Sequence, residues 1–279
     1  MYLPKRLRDL GYVESQNLVI ERRYAEGKPD RLPAFARKLV EVRVDVIVAV
    51  GNSAIRAARD ATQTIPIVMA FGLDPVGQGF VKSLASPGGN ITGVSYWVER
   101  GSEAKRLELL KEAVTRAARI AFLVGPGQLS QTFVEEAHKA AASLGIKLVV
   151  AEVQGSDYDG AFVAMRNGRA DAVLVQGAPT FNRDGKRIIA LAAKHKLPAI
   201  YEWRHHVEEG GLMAYGGNAS ELQGRVASYI DRIFKGAKPG DLPVEQPTKF
   251  ELVINLQTAK TLGLTIPPTL LSLADKLIE

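Results

Sequence analysis

The stretch VDVIVAVGNSAIRAARDATQTIPIVMAFG, residues 44–72, decides the fold. Residues 44–50 are apolar apart from Asp45, with no inside–outside alternation, as in a strand covered on both faces. Gly51-Asn52-Ser53 then makes a turn, a helix follows, and residues 65–70 form a second apolar strand. Strand–turn–helix–strand at this spacing implies two parallel strands joined by a crossover helix.

The same unit recurs outward from there. Strands are predicted over 17–22, 44–50, 65–70, 91–96, 120–124, 147–153, 172–175, 199–201 and 212–215. Helices are predicted over 30–42, 75–85, 102–117, 130–144, 159–167, 182–195, 220–234 and 255–262. In the first of these, residues 32, 35, 36, 39 and 40 form one apolar stripe. The turn SPGGN at 86–90 and the polar stretch VERGSEAKR at 98–106 separate two cycles of the pattern. Two smaller parallel sheets flanked by helices fit this length better than one sheet of nine strands. The tail is different: a Gly/Pro cluster at 235–243, an extended segment at 244–256, and a double proline before a short apolar helix.

The chain has 279 residues, 46% of them apolar and 24% charged, enough for two cores. The net charge of +6 is spread over scattered basic residues, without the clustered footprint of a nucleic-acid binder. No cysteine is present, which excludes disulfides, thiolate metal sites and cysteine nucleophiles. The four histidines lack zinc-ligand spacing, so no metal is expected. Residues 1–10 are too charged to read as a signal peptide, and no apolar run approaches the ~18 residues of a membrane span.

Ligands of parallel α/β sheets bind outside the carboxyl ends of the strands, so the turns there are the candidate site. Gly51, Asn52 and Ser53 follow the first of these strands; Ser53 is expected to cap the next helix, whose free amides favour an anion. Phe71, Gly72 and Asp74 follow the second, and Asp74 suits either a ligand ammonium or the cap of helix 75–85. Gly125, Pro126 and Gly127 follow strand 120–124, with Glu152 after it. This is a partial dinucleotide fingerprint, weakened by Ser130 at its third glycine position and by the proline. Gln176 and Gly177, Tyr201 and Glu202, and Tyr215 and Gly216 close the later strands, where rings can stack on a ligand. None of these turns carries a nucleophile–base pair, so the equipment is for binding.

Several segments resemble the ABC transporter substrate-binding proteins of the tryptophan/tyrosine type. They are DLGYVESQNLVIERRYAEGKPDRLP at 9–33, IPIVMAFGLDPVGQGFV at 65–81, SPGGNITGVS at 86–95 and KRLELLKEAV at 105–114. LPAIYEW at 197–203, GGLMAYG at 210–216, LPVEQPTKFELVINLQTAKTLGLTIPP at 242–268 and LLSLADKLIE at 270–279 extend the likeness across the chain. The resemblance implies a type I periplasmic-binding-protein fold: two Rossmann-like lobes, 1–97 plus 211–241 and 98–210 plus 242–279, closing on a ligand. It further implies an amino-acid ligand, often aromatic, with Ser53 and its turn at the carboxylate, Asp74 nearby, and Tyr96, Tyr201 and Tyr215 as walls. No cofactor is implied; the partners are a small-molecule ligand and ABC permease subunits, in the periplasm or otherwise outside the cytoplasm. Members begin with a leader and a first strand, whereas Met1 here falls within the first helix. The resemblance therefore implies a first lobe lacking its first strand, a place that a homodimer partner could fill.

Three functions remain open on the sequence. A solute receptor is the first, a Rossmann-type enzyme with a nucleotide cofactor the second, and the sensor domain of a transcriptional regulator the third.

Overall fold

The computed structural model describes residues 3–96, 102–125, 128–247 and 249–279. In chain order its main elements are α1 (Leu3–Asp9), α2 (Leu32–Glu41), β1 (Ile47–Val50), α3 (Asn52–Ala61), β2 (Ile67–Gly72) and β3 (Ile91–Ser95). There follow α4 (Ser102–Ala113), β4 (Arg119–Val124), α5 (Gln128–Ser143), β5 (Lys147–Glu152), α6 (Tyr158–Asn167) and β6 (Ala172–Val175). Next are α7 (Pro179–Arg183), α8 (Gly185–Lys194), β7 (Ala199–Tyr201), α9 (Arg204–Glu208), β8 (Met213–Gly217) and α10 (Ala219–Phe234). β9 (Phe250–Asn255), α11 (Leu256–Thr261), α12 (Pro268–Leu273) and β10 (Lys276–Ile278) end the chain.

These elements form two compact units, Met1–Val98 with Ala219–Thr248, and Glu99–Asn218 with Lys249–Glu279. The crossing points differ from the expected 210/211 and 241/242. β8 stays with the second unit because it is hydrogen-bonded between β7 and β9. Residues 242–248 stay with the first, where Leu242 and Val244 are buried.

The first unit holds a parallel sheet in the order β1-β2-β3. α2 and α3 pack together, and α3 lies on β1 and β2; α10 packs on β2 and β3 with α1 against it. Ile47, Ile55, Ile67, Met69, Phe80, Ile91 and Val244 share one core. The outer edge of β3 is sealed by Glu245, whose N–H donates to Gly93 O at 3.0 Å and whose carbonyl accepts from Ser95 N at 2.8 Å. Arg225 and Tyr229 of α10 both bond the Glu245 carboxylate and fix that segment. Among the described residues, β1 pairs only with β2.

The second unit holds seven strands in the order β10-β9-β8-β7-β6-β4-β5. The run from β5 to β8 is parallel, as the patterning predicted; β9 is antiparallel to β8. Pleating splits β4 between two cores: Ile120, Phe122 and Val124 meet α4 and α5, whereas Ala121 and Leu123 meet α6 to α9. Burying a side chain such as Phe122 contributes about 1.5–3 kcal/mol.

Three local expectations fail for identifiable reasons. Residues 17–22 carry no ladder beyond a bridge from Glu14 to Leu18, and Arg22 turns instead to a bidentate pair with Glu14. No helix forms over 75–85: the Asp74 carboxylate accepts from Gly77 N at 3.0 Å, closing a turn that competes with helix geometry. The closing apolar helix stops at Leu273, and Lys276–Ile278 adds to the sheet as β10 because Asp275 bonds Leu252 N and steers it alongside β9.

Candidate functional site

At the carboxyl edge of the first unit, three turns are lashed together. Gly51, at φ 77°, takes a backbone form that favours glycine and so starts α3 directly from β1. Asn52 then bonds both backbone groups of Leu73: its Oδ1 accepts from the N–H at 2.8 Å and its Nδ2 donates to the carbonyl at 2.9 Å. Gly72 O accepts from Tyr96 N at 2.8 Å and from the Ser95 hydroxyl at 3.0 Å. Gly51, Asn52, Phe71, Gly72 and Tyr96 are thereby brought to one edge.

Two further features mark this edge. Ala54 N and Ile55 N both bond Gly51 O, which leaves the amides of Asn52 and Ser53 as donors that the helix does not use. Phe71 sits at φ 59°, a strained conformation for a non-glycine residue, at a register shift between β2 and β3. Its ring lies 5.9 Å from that of Tyr96. Such strain persists only where the surroundings enforce it, and it concentrates at ligand sites.

Two expectations at this edge are corrected. Ser53 does not cap α3: it is the second helical residue, exposed, and Gly51 holds the cap position. Asp74 caps no helix, its carboxylate being engaged by Gly77 N.

The carboxyl edge of the second unit is tied in a similar way. Gln176 reaches from the end of β6 to the end of β4, where its Oε1 accepts from Gly125 N at 2.9 Å. Glu202, after β7, is 7% exposed and lies between Gly177 and Gly216. A Cβ at Gly177 would overlap its carboxylate, and one at Gly216 would overlap its backbone carbonyl. Only glycine fits at either neighbour, so the backbone is shaped around Glu202. Pro126 and Gly127 lie outside the described residues.

Two rings belong elsewhere. Tyr201 is 1% exposed and packs in the core with Val207 and Ala214, and burial pushes its phenol pKa up. It is therefore a core residue rather than a wall. Tyr215 stacks on Phe250 at 5.8 Å and packs against the opposite core. Glu152 is exposed on β5 and bonds Gln154, so it takes no place beside Gly125. Among the described residues, no three His, Asp or Glu side chains converge as a metal would require.

The sequence reading missed one feature of this edge. Glu103 and Arg106, 2% and 1% exposed, form a 2.5 Å ion pair at the start of α4. Ser102 Oγ donates to Glu103 at 2.7 Å, and Arg106 donates to Val175 O, the last carbonyl of β6, at 3.3 Å. The signal was present: residues 103, 106, 107, 110 and 113 share one face, placing two charges on an apolar stripe.

Two α/β units whose parallel strands end in such turns define a solute-binding protein of the type I periplasmic-binding fold. The chain belongs to the ABC transporter substrate binding protein family, which it matches over residues 3–278. Members bind small-molecule ligands and work with ABC transporter components. The chain is 28% identical over 261 residues to a tyrosine-binding protein of Clostridioides difficile (strain R20291), covering 93% of this chain and 75% of that one. A crystal structure of a conserved domain protein from Vibrio cholerae O1 biovar El Tor matches with a TM-score of 0.89 at 31% identity, covering 99% of this chain and 92% of that one. An ABC domain from Streptococcus pneumonia in complex with L-Trp matches with a TM-score of 0.88 at 28% identity, over the same shares of each chain.

Proposed function

We propose that this protein is the extracytoplasmic receptor of an ABC importer for an aromatic amino acid, which it binds and releases unchanged. The carrying observation is the first unit's edge, where unused amides at the start of α3 stand in one lashed cluster with the Phe71–Tyr96 pair. The amides of Asn52 and Ser53 suit the ligand carboxylate, since a helix start favours negative charge. The Phe71 and Tyr96 rings suit an aromatic side chain, and Gln176 and Glu202 supply polar contacts from the second unit. The tyrosine and tryptophan named for two relatives support this ligand class. The nucleotide-enzyme reading is not favoured, because Glu152 is exposed on β5 and bonds Gln154.

Permease subunits of the importer are the protein partners under this reading. A second copy is a further one, because β1 leaves an apolar ladder edge open among the described residues.

The test is calorimetric titration with the twenty amino acids, checked by thermal shift. A ligand at 100 times its Kd adds about 2.7 kcal/mol of stability. Binding of L-tryptophan or L-tyrosine supports the reading; silence from every amino acid overturns it.

A further inference from the structure

The Glu103–Arg106 pair is an expensive feature to keep. Two charges at 2% and 1% exposure lose nearly all their hydration, and replacing such a pair by apolar side chains of similar volume is often neutral or stabilising. Fold stability therefore gives a poor account of it. Its position gives a better one. α4 packs across β6, β7 and β8, with its first turn at their carboxyl ends. There the guanidinium spans two acceptors, Glu103 Oε1 and Val175 O. The next residue is Gln176, whose side chain bonds Gly125 N across to β4, and after it comes Gly177, shaped around Glu202.

We infer that Arg106, held by Glu103, is a positioning residue for ligand binding: it fixes the end of β6 and so sets where Gln176, Gly125 and Glu202 stand. This rests on the reading of the strand ends as the ligand site. A planar guanidinium suits the task because it bonds a carboxylate and a carbonyl from one rigid fork, which an ammonium cannot do. The pair does not touch the ligand.

The test compares wild type, the double variant Glu103→Met/Arg106→Met and the single variant Arg106→Lys, titrated with L-tryptophan and L-tyrosine. Melting temperature and amide exchange at Gly125 and Gly177 are followed in parallel. The double variant should keep its melting temperature within a few degrees, lose at least tenfold in affinity, and exchange faster at those two amides than elsewhere. Arg106→Lys should lose about threefold or more in affinity, and it decides the matter if the double variant does not fold. Affinity within twofold of wild type in a folded variant overturns the inference, as does weakened binding without local exchange at Gly125 and Gly177. A wild type that binds neither amino acid instead overturns the functional reading on which the inference rests.

Discussion

Replacing Phe71 separately by glycine and by alanine isolates the strain at the end of β2. At φ 59° a residue with a Cβ pays about 1–2 kcal/mol that glycine does not. Glycine in turn loses about 0.5–1 kcal/mol to its larger unfolded-state entropy. The difference favours Phe71→Gly over Phe71→Ala by about 0.5–1 kcal/mol, opposite in sign to an ordinary strand position. Both variants lose the same ring and its contact with Tyr96, so that loss cancels in the comparison. Urea unfolding of the two variants, read as midpoints at a common slope, measures the difference. An alanine variant as stable as the glycine variant would refute the claim that the backbone is held in strain there. Ligand titration gives the functional half. If the ring touches the ligand, both variants lose similar affinity, about two- to tenfold for an aromatic contact of about 0.5–1.5 kcal/mol.

Gly177→Ala drives a Cβ into the Glu202 carboxylate and should cost about 1–3 kcal/mol by overpacking, with weaker amino-acid binding. An unchanged melting curve together with unchanged affinity would contradict that close approach. His206 is held neutral, its pKa lowered to about 3 by burial and then by neighbouring His205. Its unfolded value is about 6.5, so between the two the unfolded chain takes up a proton that the folded chain refuses. Its contribution is complete above the unfolded value and declines as pH falls, by about 1.4 kcal/mol per pH unit. His206→Gln should flatten the stability profile between those limits by one proton; an identical slope would count against it. If β1 pairs with a second copy, light scattering will give twice the 30.2 kDa chain mass, and Val48→Pro will return the mass to the monomer value. A monomer at every concentration would exclude that pairing.

What the sequence made legible was local. The apolar runs at 44–50, 120–124 and 172–175 are strands because nothing in them suits an exposed face, and the sheets cover them on both sides. Glycine turns at their ends were legible for the same reason, since Gly51 needs only its own backbone angles to be read. Errors arose where a side chain outbid the pattern. The run 75–85 looks helical until the Asp74 carboxylate takes Gly77 N. Ser53 looks like a cap until Gly51 proves to start the helix one residue earlier.

The same contrast bears on the site. Asn52 and Leu73 are 21 residues apart, Gly125 and Gln176 are 51, and Arg106 and Val175 are 69. Each bond ties together turns that no local pattern couples. Strand ends alone mark where a ligand can be bound, because every parallel α/β sheet has them. Side-chain-to-backbone bonds across adjacent strand ends decide how rigidly those turns are held, and a rigid edge loses less entropy on binding. Selectivity in this protein should therefore reside as much in Asn52, Gln176 and the Glu103–Arg106 pair as in the groups that meet the ligand.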